Sequence, residues 1–286
     1  MSDRSTSADR PRRPAPMHVC VLSASRLSRS MVRVWFGGPE LQRFQPSPYT
    51  DSYVKLTFPR PGVIYPAPFD LSQIQSSYPQ AQWPVVRTYT VRAWDPERSE
   101  LAIDFVVHGD HGVAGPWAAA ARPGDRIYLS GPGGAYAPDP RAGWQLLIGD
   151  ESALPAISTA LESLDVDAEG QVLIEVPGPD SEIDLPAPAG MRISWLHTGA
   201  DAPGTALVKA AQALAIPAVD VQAFVHGEAG FVAELRRLLR VTVGVPRDRL
   251  SISGYWRLGA TEEGWRAAKA DWNAAAEEVE RRAGVA

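Results

Sequence analysis

The 286-residue chain holds one cysteine, Cys20, and five histidines, and each scarcity removes a class of chemistry. A single thiol forms no intrachain disulfide and cannot supply the thiolates of an iron–sulfur cluster. It sits in the alternating apolar run Val19-Cys20-Val21-Leu22, where a small buried hydrophobe is expected. The histidines His18, His108, His111, His197 and His226 make no H-E-x-x-H or H-x-x-E-H grouping, so no protein-bound metal is expected. G-x-S-x-G is missing too, which disfavours a serine hydrolase. No window approaches the roughly 18–20 consecutive apolar residues of a spanning helix, so stable membrane insertion is not expected. A formal net charge of -5 without a sustained Lys/Arg face argues against a nucleic-acid partner. One unpaired cysteine points to a cytoplasmic location.

What is present is a globular composition, 45% apolar and 21% charged, in a chain longer than most single domains. The opening Met1–Pro16 mixes arginines with Ser and Pro and lacks the apolar run of a secretory signal, so residues 1–16 are expected to be a disordered tail. From Met17 to about Tyr136, strands are expected at 17–27, 31–36, 52–58, 86–94, 101–107 and 126–130, broken by Gly and Pro. The proline-rich interval 59–84 is too long for a simple turn and reads as a functional or mobile loop.

After Gly143 short apolar strands alternate with helical segments, the pattern of a parallel sheet covered by helices. Strands are expected at 144–149, 171–176, 191–197, 221–226 and 250–254, with helices at 152–164, 204–215 and 229–242. The fold class is therefore an N-terminal antiparallel β-barrel followed by a parallel-sheet α/β domain, divided as 17–140 and 141–286 near Pro138–Gly143. A last helix is capped by Thr261 and runs to about Arg282, with Trp265, Ala268, Trp272, Ala275 and Val279 as its apolar stripe.

The chemistry concentrates in Arg87-Thr88-Tyr89-Thr90. On a strand, Arg87 and Tyr89 point to one face and Thr88 and Thr90 to the other. A cation, an aromatic plane and hydroxyls are what a flavin nucleotide needs for its phosphate, its ring and its polar edge. Alone, the tetrapeptide is equally an ordinary barrel strand. About twenty residues on, Asp104-Phe105-Val106-Val107-His108-Gly109-Asp110-His111-Gly112-Val113-Ala114-Gly115-Pro116-Trp117 reads as a strand, a glycine-bearing loop and a helix start, whose free N–H groups suit a phosphate. Gly149-Asp150-Glu151-Ser152-Ala153 is a strand-to-helix turn where α/β sheets bind ligands, although it lacks G-x-G-x-x-G. Its two carboxylates equally suit the helix dipole.

Taken in order, these segments resemble the siderophore-interacting protein family, ferric-siderophore reductases built like ferredoxin–NADP reductases. The resemblance covers roughly residues 17–260 and rests also on Pro123-Gly124-Asp125, Gly131-Pro132-Gly133-Gly134, Leu154-Pro155-Ala156, Gly227-Glu228-Ala229 and Gly254-Tyr255-Trp256-Arg257. It implies that Arg87 holds the FAD pyrophosphate, that Tyr89 packs on the isoalloxazine and that Thr90 hydrogen-bonds near N5, with Thr88 on the same strand. It places His108 and Asp110 by the ribityl or adenosine part and the backbone of Ala114, Gly115 and Trp117 at the phosphates. A strand-end histidine bonded to backbone is the other reading of His108.

The resemblance also sets Asp150, Glu151, Ser152 and Ala153 beside flavin and nicotinamide and brings Tyr255 and Trp256 to the flavin edge, where interface packing is the competing explanation. Glu228 and Ala229 are candidate nicotinamide-nucleotide contacts, Glu228 equally a helix cap. Residues 177–185 offer Asp180, Glu182 and Asp184 without a base, which leans toward NADH over NADPH, with Arg192, Lys209 and Arg236 able to approach in space. Lys55, Arg92 and Arg257 are candidates for steering an anionic ferric siderophore.

The implied activity is reduction of Fe(III) to Fe(II) in a siderophore, with electrons from NADH, NADPH or ferredoxin passing through FAD. No general acid or base is assigned, because the cofactor carries the chemistry. Two alternatives stand beside it: a flavin reductase for another acceptor, and a ferric-siderophore binding module without turnover.

Overall fold

The computed structural model describes residues 15–285, so most of the expected 1–16 tail lies outside the described residues. Alternation of apolar and polar residues builds an antiparallel sheet of seven strands: β1 (Met17–Ser28), β2 (Met31–Gly37), β3 (Tyr53–Phe58), β4 (Val85–Thr90), β5 (Ala93–Asp95), β6 (Glu100–Val106) and β7 (Arg126–Gly133), in the order β4-β3-β7-β1-β2-β6-β5. Their inward residues, among them Val34, Phe36, Leu56, Ile103, Phe105 and Leu129, form one core.

The strand expected over 86–94 is two strands. Between them Val91 N–H donates to Ser52 O at 2.7 Å and Arg92 N–H to Ala102 O at 2.9 Å. The chain thus leaves the β3 edge and joins the β6 edge within two residues, which curls the sheet toward a barrel with β4 and β5 as its two end strands.

The interval 59–84 carries a helix, α1 (Leu71–Ser77), which the sequence reading did not anticipate. Asp70 caps it by accepting from Ser72 and Gln73 N–H. Phe69 stacks on Tyr128 at 3.9 Å, fastening the segment to the barrel wall. After β6 comes the short helix α2 (Ala114–Ala120).

The second sheet is parallel throughout: β8 (Trp144–Asp150), β9 (Glu169–Val176), β10 (Gly190–His197), β11 (Val221–Glu228) and β12 (Leu250–Trp256), in the order β10-β9-β8-β11-β12. Helix α3 (Leu154–Ser163) covers one face, together with Met31 and Tyr136. Helices α4 (Thr205–Ala213) and α5 (Ala229–Arg237) cover the other. Burial on both faces explains why these strands are continuous apolar runs. The helix expected over 229–242 changes to a π-helical turn at Leu238–Val243, which ends on Gly244 at φ 85°.

The last helix, α6 (Glu262–Arg282), starts as expected, with Thr261 Oγ1 accepting from Gly264 N–H. Its buried stripe differs from the expected one. Trp265 and Trp272 point inward, 5.5 Å apart, whereas Ala268, Ala275 and Val279 are exposed. Lys269 and Ala276 continue the inward face, and Glu280 completes it through a buried ion pair with Arg236. Cys20 is half-buried, with its thiol 3.4 Å from Gly37 O.

Candidate functional site

Barrel closure fixes the Arg87–Thr90 strand at the seam between the two sheets. Register pairs Arg87 with Leu56 and Tyr89 with Val54, so both lie on the inward-facing side of β4. The Tyr89 ring reaches 4.5 Å from Phe105, and burial pushes its phenol up. Arg87 stays at the rim. Its Nη1 donates to Val86 O at 2.9 Å and to Glu263 Oε1 at 2.7 Å. On the other side Thr88 is exposed beside exposed Lys55, while Thr90 is buried beside Tyr53.

At the start of α2, Gly115 sits close to the end of β6. A Cβ there would lie 3.0 Å from Val106 O, tighter than ordinary contact, so a side chain would push the helix and strand apart by a few tenths of an ångström. Trp117 packs into the barrel core 5.4 Å from Phe58, and its N–H donates to Val113 O. The N–H groups of Ala114 and Gly115 have no backbone acceptor among the described residues, and Pro116 has no N–H. His108 and Asp110 are exposed on the preceding loop.

The C-terminal ends of the parallel strands converge on Asp150. Its Oδ1 accepts from Ser152 N–H and Oγ–H, and its Oδ2 from Glu228 N–H and Trp256 Nε1–H, both at 2.8 Å. Burial raises its carboxyl above the usual range in spite of those donors. Asp150 therefore ties β8, β11 and β12 together and sets the Trp256 indole. Ala153 is buried behind the same turn. Tyr255 lies edge-on to His226 at 4.9 Å, close enough to Asp51, Asp150 and Tyr53 for their fields to raise its phenol further after burial has done so.

Several expected contacts are engaged by the protein itself. Glu228 caps α5 through Gly230 and Phe231 N–H and accepts Leu258 N–H with its other oxygen, so it acts as a cap. Arg92 pairs with Glu162 of α3 through both terminal nitrogens and turns inward. Asp180 pairs with Arg29, Glu182 with His197 at 2.7 Å, and Arg236 with Glu280. Lys55 and Arg257 remain exposed. Among the described residues no group of three or more His, Cys, Asp or Glu is placed to hold a metal ion, and no helix is long and apolar enough to cross a membrane.

The family profile for the siderophore-interacting FAD-binding domain matches residues 20–136, and that for the siderophore-interacting protein matches residues 142–259. The chain belongs to the siderophore-interacting protein family. It is 35% identical over 246 residues to the ferric vibriobactin reductase ViuB of Vibrio cholerae, covering 84% of this chain and 88% of that one. It is 32% identical over 239 residues to an NADPH-dependent ferric-chelate reductase of Escherichia coli, covering 82% and 91%. The crystal structure of the siderophore-interacting protein SipS from Aeromonas hydrophila matches with a TM-score of 0.75 at 32% identity, covering 90% of this chain and 97% of that one.

The residues of this siderophore-interacting protein fit FAD. A rim arginine, a tyrosine and hydroxyls on one strand, together with the close-packed start of α2 in the same domain, are the donor set that a dinucleotide flavin calls for. Sequence reasoning missed four residues that shape the site. Glu262 and Glu263 bracket Arg87, while Ser30 donates to Glu151 from the barrel side and Ser181 meets the Ser30 hydroxyl. Acidic residues straight after the Thr261 cap were the available sign for the first pair; nothing local marks the serines.

Proposed function

We propose that this protein is an FAD-dependent ferric-siderophore reductase that takes electrons from NADH or NADPH, with ferredoxin as the other donor open to it. The observation that carries the reading is that the Arg87–Thr90 strand is held by the chain that follows the last parallel strand: Glu263 of α6 pairs with Arg87, while Tyr255 at the end of β12 feels the field of Tyr53, the strand partner of Thr90. In this reading residues 17–140 hold FAD and residues 141–286 receive the nicotinamide nucleotide. Arg87 and the Ala114 and Gly115 N–H groups hold the phosphates, Tyr89 and Thr90 meet the flavin ring, and His108 and Asp110 flank the sugar part. Glu151, Ser152 and Ala153 line the turn beside nicotinamide. Lys55 and Arg257 draw in the anionic ferric complex.

FAD supplies a two-electron acceptor that also releases electrons singly, so one NAD(P)H reduces two Fe(III) siderophores with release of one proton. What the chain contributes is placement and exclusion of water. The reading puts the protein in the cytoplasm, where a lone thiol stays reduced.

The test is anaerobic mixing of the purified, FAD-loaded protein with each donor, followed by a ferric catecholate siderophore and a ferrous trap. Flavin bleaching by a nicotinamide nucleotide and ferrous iron at two per nucleotide support the proposal. Failure to retain flavin sinks it. Bleaching without iron release favours a reductase for another acceptor, and iron-complex binding without bleaching by any donor favours a binding module.

A further inference from the structure

The guanidinium assigned to the FAD phosphates is gripped by the first turn of α6, an element of the other half of the chain. Glu263 Oε1 accepts from Arg87 Nη1 at 2.7 Å, and Glu262 Oε2 lies 3.7 Å from Nε. Arg266, one turn further along α6, donates to Val86 O at 3.4 Å and pairs with Glu262 at 3.2 Å, which docks the helix on β4 beside Arg87. From deeper in the same helix, Lys269 donates to Ser253 Oγ at 2.9 Å and its field reaches Glu262.

The two carboxylates differ. The hydrogen bond from Arg87 holds Glu263 below the usual carboxylate range, whereas burial pushes Glu262 upward against the pull of Arg87 and Arg266. Glu263 is thus the more acidic of the two carboxylates that face Arg87.

The charge of the carboxylates gives the grip its strength, and its geometry fixes where the guanidinium points. Nη1 is held from two sides, by the Val86 carbonyl of its own strand and by Glu263, so the guanidinium plane cannot swing about its long stem. Its Nη2 makes no hydrogen bond to a described residue, and the side chain keeps 17% of its surface exposed. One edge of the fork is clamped and the other is presented. An arginine fixed in this way meets a phosphate with less ordering to do, because its rotamers are already restricted.

We infer that Glu262 and Glu263 are positioning residues for FAD: they hold Arg87 with its free edge toward the cofactor phosphates and so couple α6 to cofactor retention. This rests on the reading of Arg87 as the phosphate ligand. The alternative arrangement, in which Glu263 competes with phosphate for Arg87, predicts the opposite sign.

The experiment measures FAD dissociation constants by flavin fluorescence on apo-protein for wild type, Arg87→Ala, the pair Glu262→Gln with Glu263→Gln, and all three changes together. Glutamine keeps the shape and a weak acceptor but loses the charge. The paired change is expected to weaken FAD by about three- to tenfold, the range for two partly exposed ion pairs. In the Arg87→Ala background the paired change should do nothing, which a general loss of structure would not reproduce. An unchanged or tighter constant for the paired variant, with Arg87→Ala still weakening FAD, overturns the inference alone. If Arg87→Ala leaves FAD affinity unchanged, the phosphate reading of Arg87 falls, and the inference with it.

Discussion

Ser30, in the turn between β1 and β2, donates its hydroxyl to Glu151, in the turn between β8 and α3, joining the barrel to the parallel sheet. Ser181 Oγ lies 2.9 Å from the same hydroxyl, and Arg29 beside it pairs with Asp180. Burial pushes the Glu151 carboxyl up to about 7, with a smaller push from Asp150 and an opposing pull from Ser30. The folded protein therefore holds a proton there that the unfolded chain, with an ordinary glutamate near 4.5, releases.

The sign follows directly. The contribution of Glu151 to stability is fully present below about 4.5 and falls away as pH rises to about 7. Glu151→Gln, uncharged at every pH, should remove this slope and leave the variant more stable than wild type above pH 7, by on the order of 1 kcal/mol. Thermal unfolding of both proteins between pH 5 and pH 8 checks it; parallel curves would rule out the buried titration.

Asp150 supports the opposite side of the same turn. Asp150→Ala strips the acceptor from Glu228 N–H, Ser152 and the Trp256 indole at once. Leaving buried donors without partners costs about 1–3 kcal/mol each, so a loss on the order of 3 kcal/mol is expected. Denaturant unfolding measures it, and Trp256 emission should change as its indole loses its anchor. A loss under about 1 kcal/mol would mean that water replaces the carboxylate.

How much of this was legible in the sequence depends on how local its cause was. Strand alternation, the change of pattern after Gly143 and the Thr261 cap are written within a few residues, and each matches the observed element. Helix α1 was missed because its short Ser- and Gln-rich segment has no apolar stripe, although Asp70 offered a cap. The α6 stripe differs from its apolar periodicity because alanine and valine carry the pattern, whereas Lys269 and Glu280 are inward only because Ser253 and Arg236 meet them. Ser30 lies 121 residues from Glu151, and Arg87 lies 176 from Glu263; such partners leave no periodicity to read.

As cations near the expected substrate approach Arg92 and Lys55 look alike in sequence, and the fold separates them. Arg92 joins the barrel to α3 through Glu162 and lies 3.9 Å from buried Asp104, which Arg33 also holds. Lys55 faces solvent. Arg92→Ala is expected to lower stability by about 1–3 kcal/mol while leaving KM for an anionic ferric siderophore within about twofold. Lys55→Ala should do the reverse, raising KM by roughly two- to fivefold, more at low salt, with stability unchanged within about 0.5 kcal/mol. Steady-state kinetics at two ionic strengths, with thermal unfolding alongside, separates the two. A large KM effect from Arg92→Ala would return it to the substrate site.

Gly227 gives the last test, because the β11–α5 turn leaves it no alternative. Its φ is +144°, a backbone conformation that side chains disfavour, and a Cβ would lie 2.6 Å from Asp150 Oδ2 and from the Phe231 ring. Gly227→Ala must either push Asp150 off Glu228 N–H and Trp256 or shift α5, whose Phe231 packs in the core of the α4 and α5 face. Backbone strain of this kind costs about 1–3 kcal/mol before the displaced carboxylate is counted. The variant should therefore unfold earlier than wild type by at least as much as Asp150→Ala. Because the alanine acts largely by displacing that carboxylate, the two changes combined should cost less than their sum. Full additivity in denaturant unfolding would show that the turn strains independently of Asp150.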